Sequence, residues 1–249
     1  MSLAEFLSAA SAAWALLAAS PWRWLWVILV FLISVELLMF IPYVGFVTKM
    51  AVAGIVSAQV LALFAAAAAG QEPSPLALMA SFSRPLSAQA ALAFSALVPF
   101  LLAVLVLFLK EGAPAIQFFF GNVLKDKPPP IEVFVPFKYV MQVCALPLTL
   151  LAGAVVLQGL SGMAAIQSAL THALANWLPV LLLGLIGLAF EWASGQLPAL
   201  LPKPAAAAVG GVLLILYLGW SFAALYTVSA QIFKPTPAAL VQPHPAPGS

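Results

Sequence analysis

Six long runs of apolar residues, each close to twenty residues, are the feature that most limits what this chain can fold into. A membrane-spanning α-helix needs about 20 mainly apolar residues to cross a hydrocarbon core of about 30 Å. Only 6% of the 249 residues are charged and the mean hydropathy is +1.14, whereas soluble domains are about 25% charged. These values exclude a soluble globular protein and predict an all-α polytopic membrane protein.

The six predicted spans are bounded by proline, glycine or charged residues and pair into three hairpins. Pro99 and Pro147 interrupt the third and fourth spans, and the longest loop lies between these two. The predicted spans are about 22–41, 46–69, 86–109, 139–160, 177–193 and 205–233.

Three shorter segments are predicted to be amphipathic helices that lie in the membrane interface, because their apolar residues recur at helical spacing in stretches too short or too polar to span. They cover residues 2–19, 74–82 and 163–176, and Ser2 with Glu5 has the spacing of a capping box at the start of the first. The apolar faces are Leu3, Phe6, Leu7, Ala10, Trp14 and Leu17; Leu76, Met79 and Phe82; and Met163, Ile166, Leu170 and Leu174.

The order of these segments predicts a threefold internal repeat within one integral membrane domain over residues 1–233. The units would be 3–69, 74–160 and 163–233. Glu36 and Glu191 stand fourteen residues after Trp22 and Trp177, which supports the comparison of the first and third units, although the middle unit has no acid at that position. The Pro-rich tail 234–249 is expected to be disordered, because it has no apolar periodicity.

Several short stretches carry a resemblance to known membrane proteins that covers most of the chain. They are 41–46, 70–76, 167–170 with 176–177, and 224–226 with 231–233. These stretches resemble one group of six-helix membrane proteins, which includes uncharacterised proteobacterial inner-membrane proteins and the membrane domain appended to some glycerophosphodiester phosphodiesterases. The resemblance implies six helices and a bacterial inner membrane, but no activity, since the catalytic part of the phosphodiesterases is a separate soluble domain.

Two acids, Glu36 and Glu191, lie well inside predicted spans. A carboxylate in an apolar helix is costly unless it is protonated, paired or hydrated. At 1.5 Å per residue each acid lies about 21 Å beyond the tryptophan that begins its span, where Lys49, Lys110 or water could neutralise it. Two interpretations remain open: the acids bind a cation or relay protons, or they are neutral or hydrogen-bonded between helices.

Small residues on two predicted spans indicate close helix packing. Gly54, Ala58 and Ala62 recur at spacing four on the second span, and three glycines lie on the sixth. Whether these faces contact the same chain or another subunit stays open. Three intramembrane glutamines are expected to hydrogen-bond between helices: Gln59, Gln142 and Gln231.

The loop 110–138 joins an aromatic cluster to a charged and proline-rich stretch. Phe118, Phe119 and Phe120 are followed by Lys125 and Lys127 and then by three prolines. One interpretation is an interfacial helix and a stiff spacer that cover the bundle. The other is a contact surface for a neighbouring subunit, because an exposed phenylalanine cluster is costly to leave in water.

Chemical groups for catalysis or cofactor binding are sparse. His172 has no His, Cys or acid at a spacing of three or four, so no metal site is expected, and the single Cys144 cannot form an internal disulfide. The sequence has no Gly-x-Ser-x-Gly motif and no Gly-rich phosphate loop. The net charge of +2 is too dispersed for nucleic-acid binding. We therefore expect neither an enzyme nor a cofactor.

The charge distribution and the family resemblance predict opposite orientations. Three cations, Arg23, Arg84 and Lys234, fall on the side of the predicted interfacial helices, and six fall on the other side. The positive-inside rule makes the six-charge side cytoplasmic, whereas the resemblance implies cytoplasmic termini, which we favour.

These features predict a non-catalytic multi-pass membrane protein that acts as a scaffold, assembly or accessory subunit. Its expected partners are the lipid bilayer and either another membrane protein or further copies of itself. The alternative is a small transporter or channel that uses Glu36 and Glu191 for proton or cation movement. A transporter requires both acids to face one polar cavity, whereas a scaffold allows each to be paired separately.

Overall fold

The computed structural model describes residues 1–121 and 131–233, and all regular elements in these two stretches are helical. Short 3-10 segments cover Leu38–Phe40, Pro75–Ser83 and Leu146–Leu148. The α-helices are α1 (Leu3–Ala19), α2 (Pro21–Leu37), α3 (Gly45–Ala68), α4 (Leu86–Glu111), α5 (Ala113–Phe120), α6 (Ile131–Ala145), α7 (Leu151–Gln158), α8 (Gly162–Ala175), α9 (Trp177–Leu200) and α10 (Lys203–Phe233).

Six helical stretches are long and apolar enough to cross a membrane, which confirms the predicted all-α polytopic fold. Pro99 lies within the continuous helix α4, whereas the span that contains Pro147 is divided into α6, a 3-10 turn and α7. Proline has no backbone N–H to donate and its ring disturbs the preceding turn. The spans are Pro21–Phe40, Gly45–Ala68, Leu86–Glu111, Val135–Gln158, Trp177–Leu200 and Lys203–Phe233.

Helix α3 lies at the centre of the bundle and packs on α4, α7 and α10. Its closest contact is with α4 at Gly54, where an added Cβ would lie 3.0 Å from the carbonyl carbon of Leu92 and 3.3 Å from the Cβ of Ala96. Ala58, one turn later, is fully buried against the cluster that includes α7. Small side chains therefore bring the backbones together, as is usual where lipid supplies no hydrophobic drive for helix association.

Helix α1 packs along α10 through its small residues and turns its bulky residues outward. Phe6, Ala9 and Ala13 are buried, whereas Leu7 and Trp14 are exposed. The predicted capping box is confirmed, since the Ser2 side chain accepts from the Glu5 backbone and the Glu5 side chain accepts from the Ser2 backbone. Half of the apolar face predicted from the sequence thus lies on the outer surface of the helix, at Leu3, Leu7 and Trp14, whereas Phe6 is buried.

The segment Pro75–Ser83 runs back alongside the last turns of α3. Leu78 is buried with Val60 and Phe64 of α3, while the residues predicted at spacing three are exposed. A spacing of three places side chains on one edge of a 3-10 helix, which has three residues per turn. Helix α8, like α1, buries small residues and exposes bulky ones. Ala165, Ala169 and Ala173 are buried, whereas Met163 and Leu174 are exposed.

Helices α1, α2 and α10 enclose a groove of about 240 Å³. Its lining is mainly apolar and includes Trp14, Trp24, Ile28, Leu216 and Gly219. The groove exceeds the apolar cavity of about 150 Å³ that holds benzene in a well-studied lysozyme. Its apolar lining suits a hydrocarbon group, and none of its lining residues is charged.

Candidate functional site

The first intramembrane acid, Glu36, forms an ion pair with Lys49. Glu36 lies in the last turn of α2, and Lys49 lies in the second turn of α3. The short connection between these helices brings the two side chains together. The Lys49 Nζ lies 2.7 Å from both carboxylate oxygens of Glu36. The lysine is mostly buried, at 17% side-chain exposure, and the carboxylate is half exposed at 49%. Lys49 was one of the partners predicted from the sequence.

The second acid, Glu191 of α9, pairs with Lys138 of α6 at 2.9 Å. The pair links two spans that lie 53 residues apart in sequence. Lys110, which the sequence also offered as a partner for these acids, bonds instead to its neighbour Glu111 at 3.1 Å. That expectation was wrong because Lys110 lies in the last turn of α4, next to a carboxylate of its own helix.

The two acids occupy separate places in the bundle. Glu36 lies where α2 meets α3, whereas Glu191 lies where α9 meets α6. Neither acid lines the groove between α1, α2 and α10 or the small cavity of about 30 Å³ beside α4 and α6. Each carboxylate thus has its own ammonium partner, and the arrangement ties neighbouring spans together.

The predicted phenylalanine cluster folds onto the bundle. Phe119 is 2% exposed and packs on Phe46 of α3, Phe100 of α4 and Phe137 of α6, with ring centroids 4.6 to 5.9 Å apart. Phe118 joins the same cluster, and Phe120 stays partly exposed at 38%. Helix α5 therefore covers one end of the bundle, and Phe119 is inaccessible to a partner.

Several residues singled out from the sequence lie outside the described residues. These are Lys125 and Lys127 of the long loop and the tail 234–249 with Lys234.

The small residues of α3 face the same chain. Gly54 contacts α4 and Ala58 lies in the internal core, while Ala62 is half-buried. The question left open by the sequence is therefore answered for Gly54 and Ala58, which pack within the chain.

The intramembrane glutamines differ in what they contact. Gln142 Nε2 lies 3.4 Å from the carbonyl of Gly184, and Gln59 Oε1 accepts from Arg84 at 3.2 Å. Gln231 is exposed.

His172 belongs to a hydrogen-bonded chain along α8. Its Nδ1 lies 2.8 Å from the Ser168 carbonyl, and since a carbonyl only accepts, this nitrogen carries the proton. The Ser168 hydroxyl donates to Gln158 Oε1 at 2.9 Å, and Asn176 donates to the His172 carbonyl at 3.0 Å. Among residues 1–121 and 131–233, no group of three His, Cys, Asp or Glu is placed to hold a metal ion. The network ties α7, α8 and α9 together.

Arg84 is a partly buried cation that the sequence analysis used only for the charge count. It lies between the 3-10 segment and α4, where its Nη2 donates to Gln59 at 3.2 Å and its buried Nε has no hydrogen-bond partner. Burial lowers the pKa of this guanidinium below its ordinary value. The sequence carried no sign of this contact, because Arg84 falls in a loop and reaches Gln59 across 25 residues.

The hairpin of α9 and α10 is the part of the bundle that the rest of the chain covers least. Only 22% of the apolar stretch of α9 and 17% of that of α10 is buried, against 28% to 50% in the other four spans. An added Cβ on Gly195 of α9 or Gly211 of α10 would meet nothing within 4 Å. Both helices thus present open backbone on an outer surface.

Comparison of the chain with protein-family models, with curated proteins and with solved structures finds no match. The family resemblance drawn from the sequence therefore stays a prediction.

Proposed function

We propose that this chain is a non-catalytic scaffold or accessory subunit that packs against another protein in the membrane. The observation that carries the proposal is the α9–α10 hairpin, whose two apolar stretches have the lowest buried shares of the six spans, at 22% and 17%. Gly195 and Gly211 leave room there for a partner backbone. Glycine on a membrane helix favours such an approach, because helix association in lipid depends on close van der Waals packing.

The separate pairing of the two acids also supports a structural role. Glu36 and Glu191 are each neutralised by a lysine of an adjacent span. A cation path that used both would need them to face one polar cavity, and the described cavities do not contain them. No observation therefore favours the transporter alternative.

The proposed location is a bacterial inner membrane with cytoplasmic termini, which follows the family resemblance. An even number of spans is consistent with both ends of the described chain lying on the same side of the membrane.

The test is purification of the full chain from its native membrane in mild detergent, followed by native mass spectrometry. We expect a partner at fixed stoichiometry in the parental sample. Gly211→Leu should reduce recovery of that partner severalfold, because the larger side chain fills the open surface of α10. Ala90→Leu, at an exposed position of α4, is the matched control and should leave recovery unchanged.

Two outcomes contradict the proposal. One is a monomer or a homo-oligomer without any stoichiometric partner. The other is a partner whose recovery is the same with Gly211→Leu as with Ala90→Leu, since that partner does not bind through the α9–α10 hairpin.

A further inference from the structure

Among the described side chains, the charge inventory leaves one partly buried cation without a counter-charge. Every carboxylate with a described side chain already has a partner on the chain. The pairs are Glu5 with Ser2, Glu36 with Lys49, Glu72 with Arg23, Glu111 with Lys110, and Glu191 with Lys138. Of the described cations outside these pairs, Lys203 is exposed, Arg84 is partly buried, and the N-terminal ammonium of Met1 donates to Asn176 Oδ1 at 3.1 Å.

The contacts of Arg84 do not balance its charge. Its one hydrogen bond goes to the neutral amide of Gln59, and its buried Nε has no acceptor. Removing a guanidinium from water without a carboxylate or phosphate beside it is costly, and a neutral amide offsets only part of that cost. The Nε of Arg84 is therefore a donor that an anion would satisfy.

The position of Arg84 indicates the source of that anion. The residue lies two positions before α4, at the end of a predicted span, where the hydrocarbon core gives way to the headgroup layer. Ser83 and Ser87 are exposed on either side of it. A guanidinium donates strong charge-assisted hydrogen bonds to phosphate oxygens, and serine hydroxyls add further donors.

We propose that Arg84 binds the phosphate of an anionic phospholipid, with Ser83 and Ser87 beside the headgroup. Phospholipids surround a membrane protein at this depth, so the phosphate is supplied by the environment in which the chain folds. This site does not depend on the proposed partner surface, because α9 and α10 take no part in it.

The experiment measures lipid binding to the full chain in detergent by native mass spectrometry, with dioleoylphosphatidylglycerol as the probe and dioleoylglycerol as the phosphate-free control. We expect the parental protein to retain phosphatidylglycerol and not dioleoylglycerol. Arg84→Gln should weaken the first binding event about tenfold, as expected for loss of a hydrogen bond from a charged group. Lys203→Gln removes an exposed positive charge and should leave binding unchanged.

A second variant separates the charge effect from misfolding. Gln59→Glu keeps Arg84 and places a carboxylate 3.2 Å from its guanidinium, where the amide oxygen now lies. This internal anion should compete with the lipid, so we expect the same tenfold loss together with a melting temperature no lower than that of the parental protein. If Arg84→Gln does not fold, Gln59→Glu decides the question.

Equal phosphatidylglycerol binding by the parental protein and Gln59→Glu overturns the proposal. So does stabilisation of the parental protein by millimolar inorganic phosphate with no stabilisation by phosphatidylglycerol, since that result assigns the site to a soluble anion.

Discussion

Gly54→Ala tests the closest helix contact in the bundle. The new Cβ would lie 3.0 Å from the Leu92 carbonyl carbon and still closer to the carbonyl oxygen. Carbon atoms pack at about 3.5–4.0 Å, so α3 and α4 would have to separate by about 0.5–1 Å. The contact is with backbone, which cannot rotate away as a side chain can. We therefore expect a cost near the upper end of the overpacking range, about 2–3 kcal/mol.

Gly211→Ala is the matched control, because it makes the same chemical change in a helix where nothing lies within 4 Å. Both substitutions gain about 1 kcal/mol of helix propensity, so the difference between the two variants isolates the steric cost. Unfolding by added dodecyl sulfate in mild detergent, followed by tryptophan fluorescence, reports the free energy. Trp24 is a suitable probe because it stacks on Phe64 of α3 with ring centroids 3.7 Å apart. Equal unfolding free energies for the two variants would refute the packing argument.

Three further predictions concern charge and orientation. Lys138→Met should lower the unfolding free energy by about 1–2 kcal/mol, since it leaves Glu191 unpaired in a partly exposed site. The double variant with Glu191→Gln should recover most of that loss in the same unfolding assay. Hydrogen bonds from the Ser2 backbone and side chain lower the pKa of Glu5 below 4.5. The stabilisation is thus present above that value and is lost as pH falls through the lowered pKa. Hydrogen exchange at the start of α1 should therefore rise on acidification, and Glu5→Gln, which removes the titrating group, should remove this dependence. With cytoplasmic termini, Val44→Cys should react with an impermeant maleimide from outside intact cells, with the parental protein as control; labelling only after permeabilisation would contradict that orientation.

Residue composition was sufficient to predict the spans but not which face of each helix is buried. In a soluble protein the apolar face turns inward, whereas lipid accepts Leu7 and Trp14 as readily as a protein core does. The packed faces of α1 and α8 consist largely of alanine. A search for the most hydrophobic face of a helix does not select them, because bulkier residues lie on the other faces. Close approach of backbones, as at Gly54, was predictable from the spacing of small residues. Its partner helix was not, because spacing on one helix does not specify the neighbour.

The residues of the candidate sites were predicted better than their partners. The sequence located Glu36 and Glu191 and correctly offered Lys49 as one partner, since the two helices are joined by a short loop. The pair of Glu191 with Lys138 and the contact of Arg84 with Gln59 join residues far apart in sequence. Only the packed fold specifies such pairs.

The contact between α1 and α10 has a consequence for how the protein is made. Thr227 donates to the Ala9 carbonyl across 218 residues of chain. Ribosomes add about 5–20 residues each second. The synthesis of the residues between Ala9 and Thr227 therefore takes about 10–45 s, and during that time α10 cannot cover the inner face of α1. A nascent chain that stops before α10 leaves Phe6 and Ala13 without their neighbours in the bundle. The α1–α10 contact therefore forms only after α10 has been made, and it is absent from any chain that is truncated before that helix.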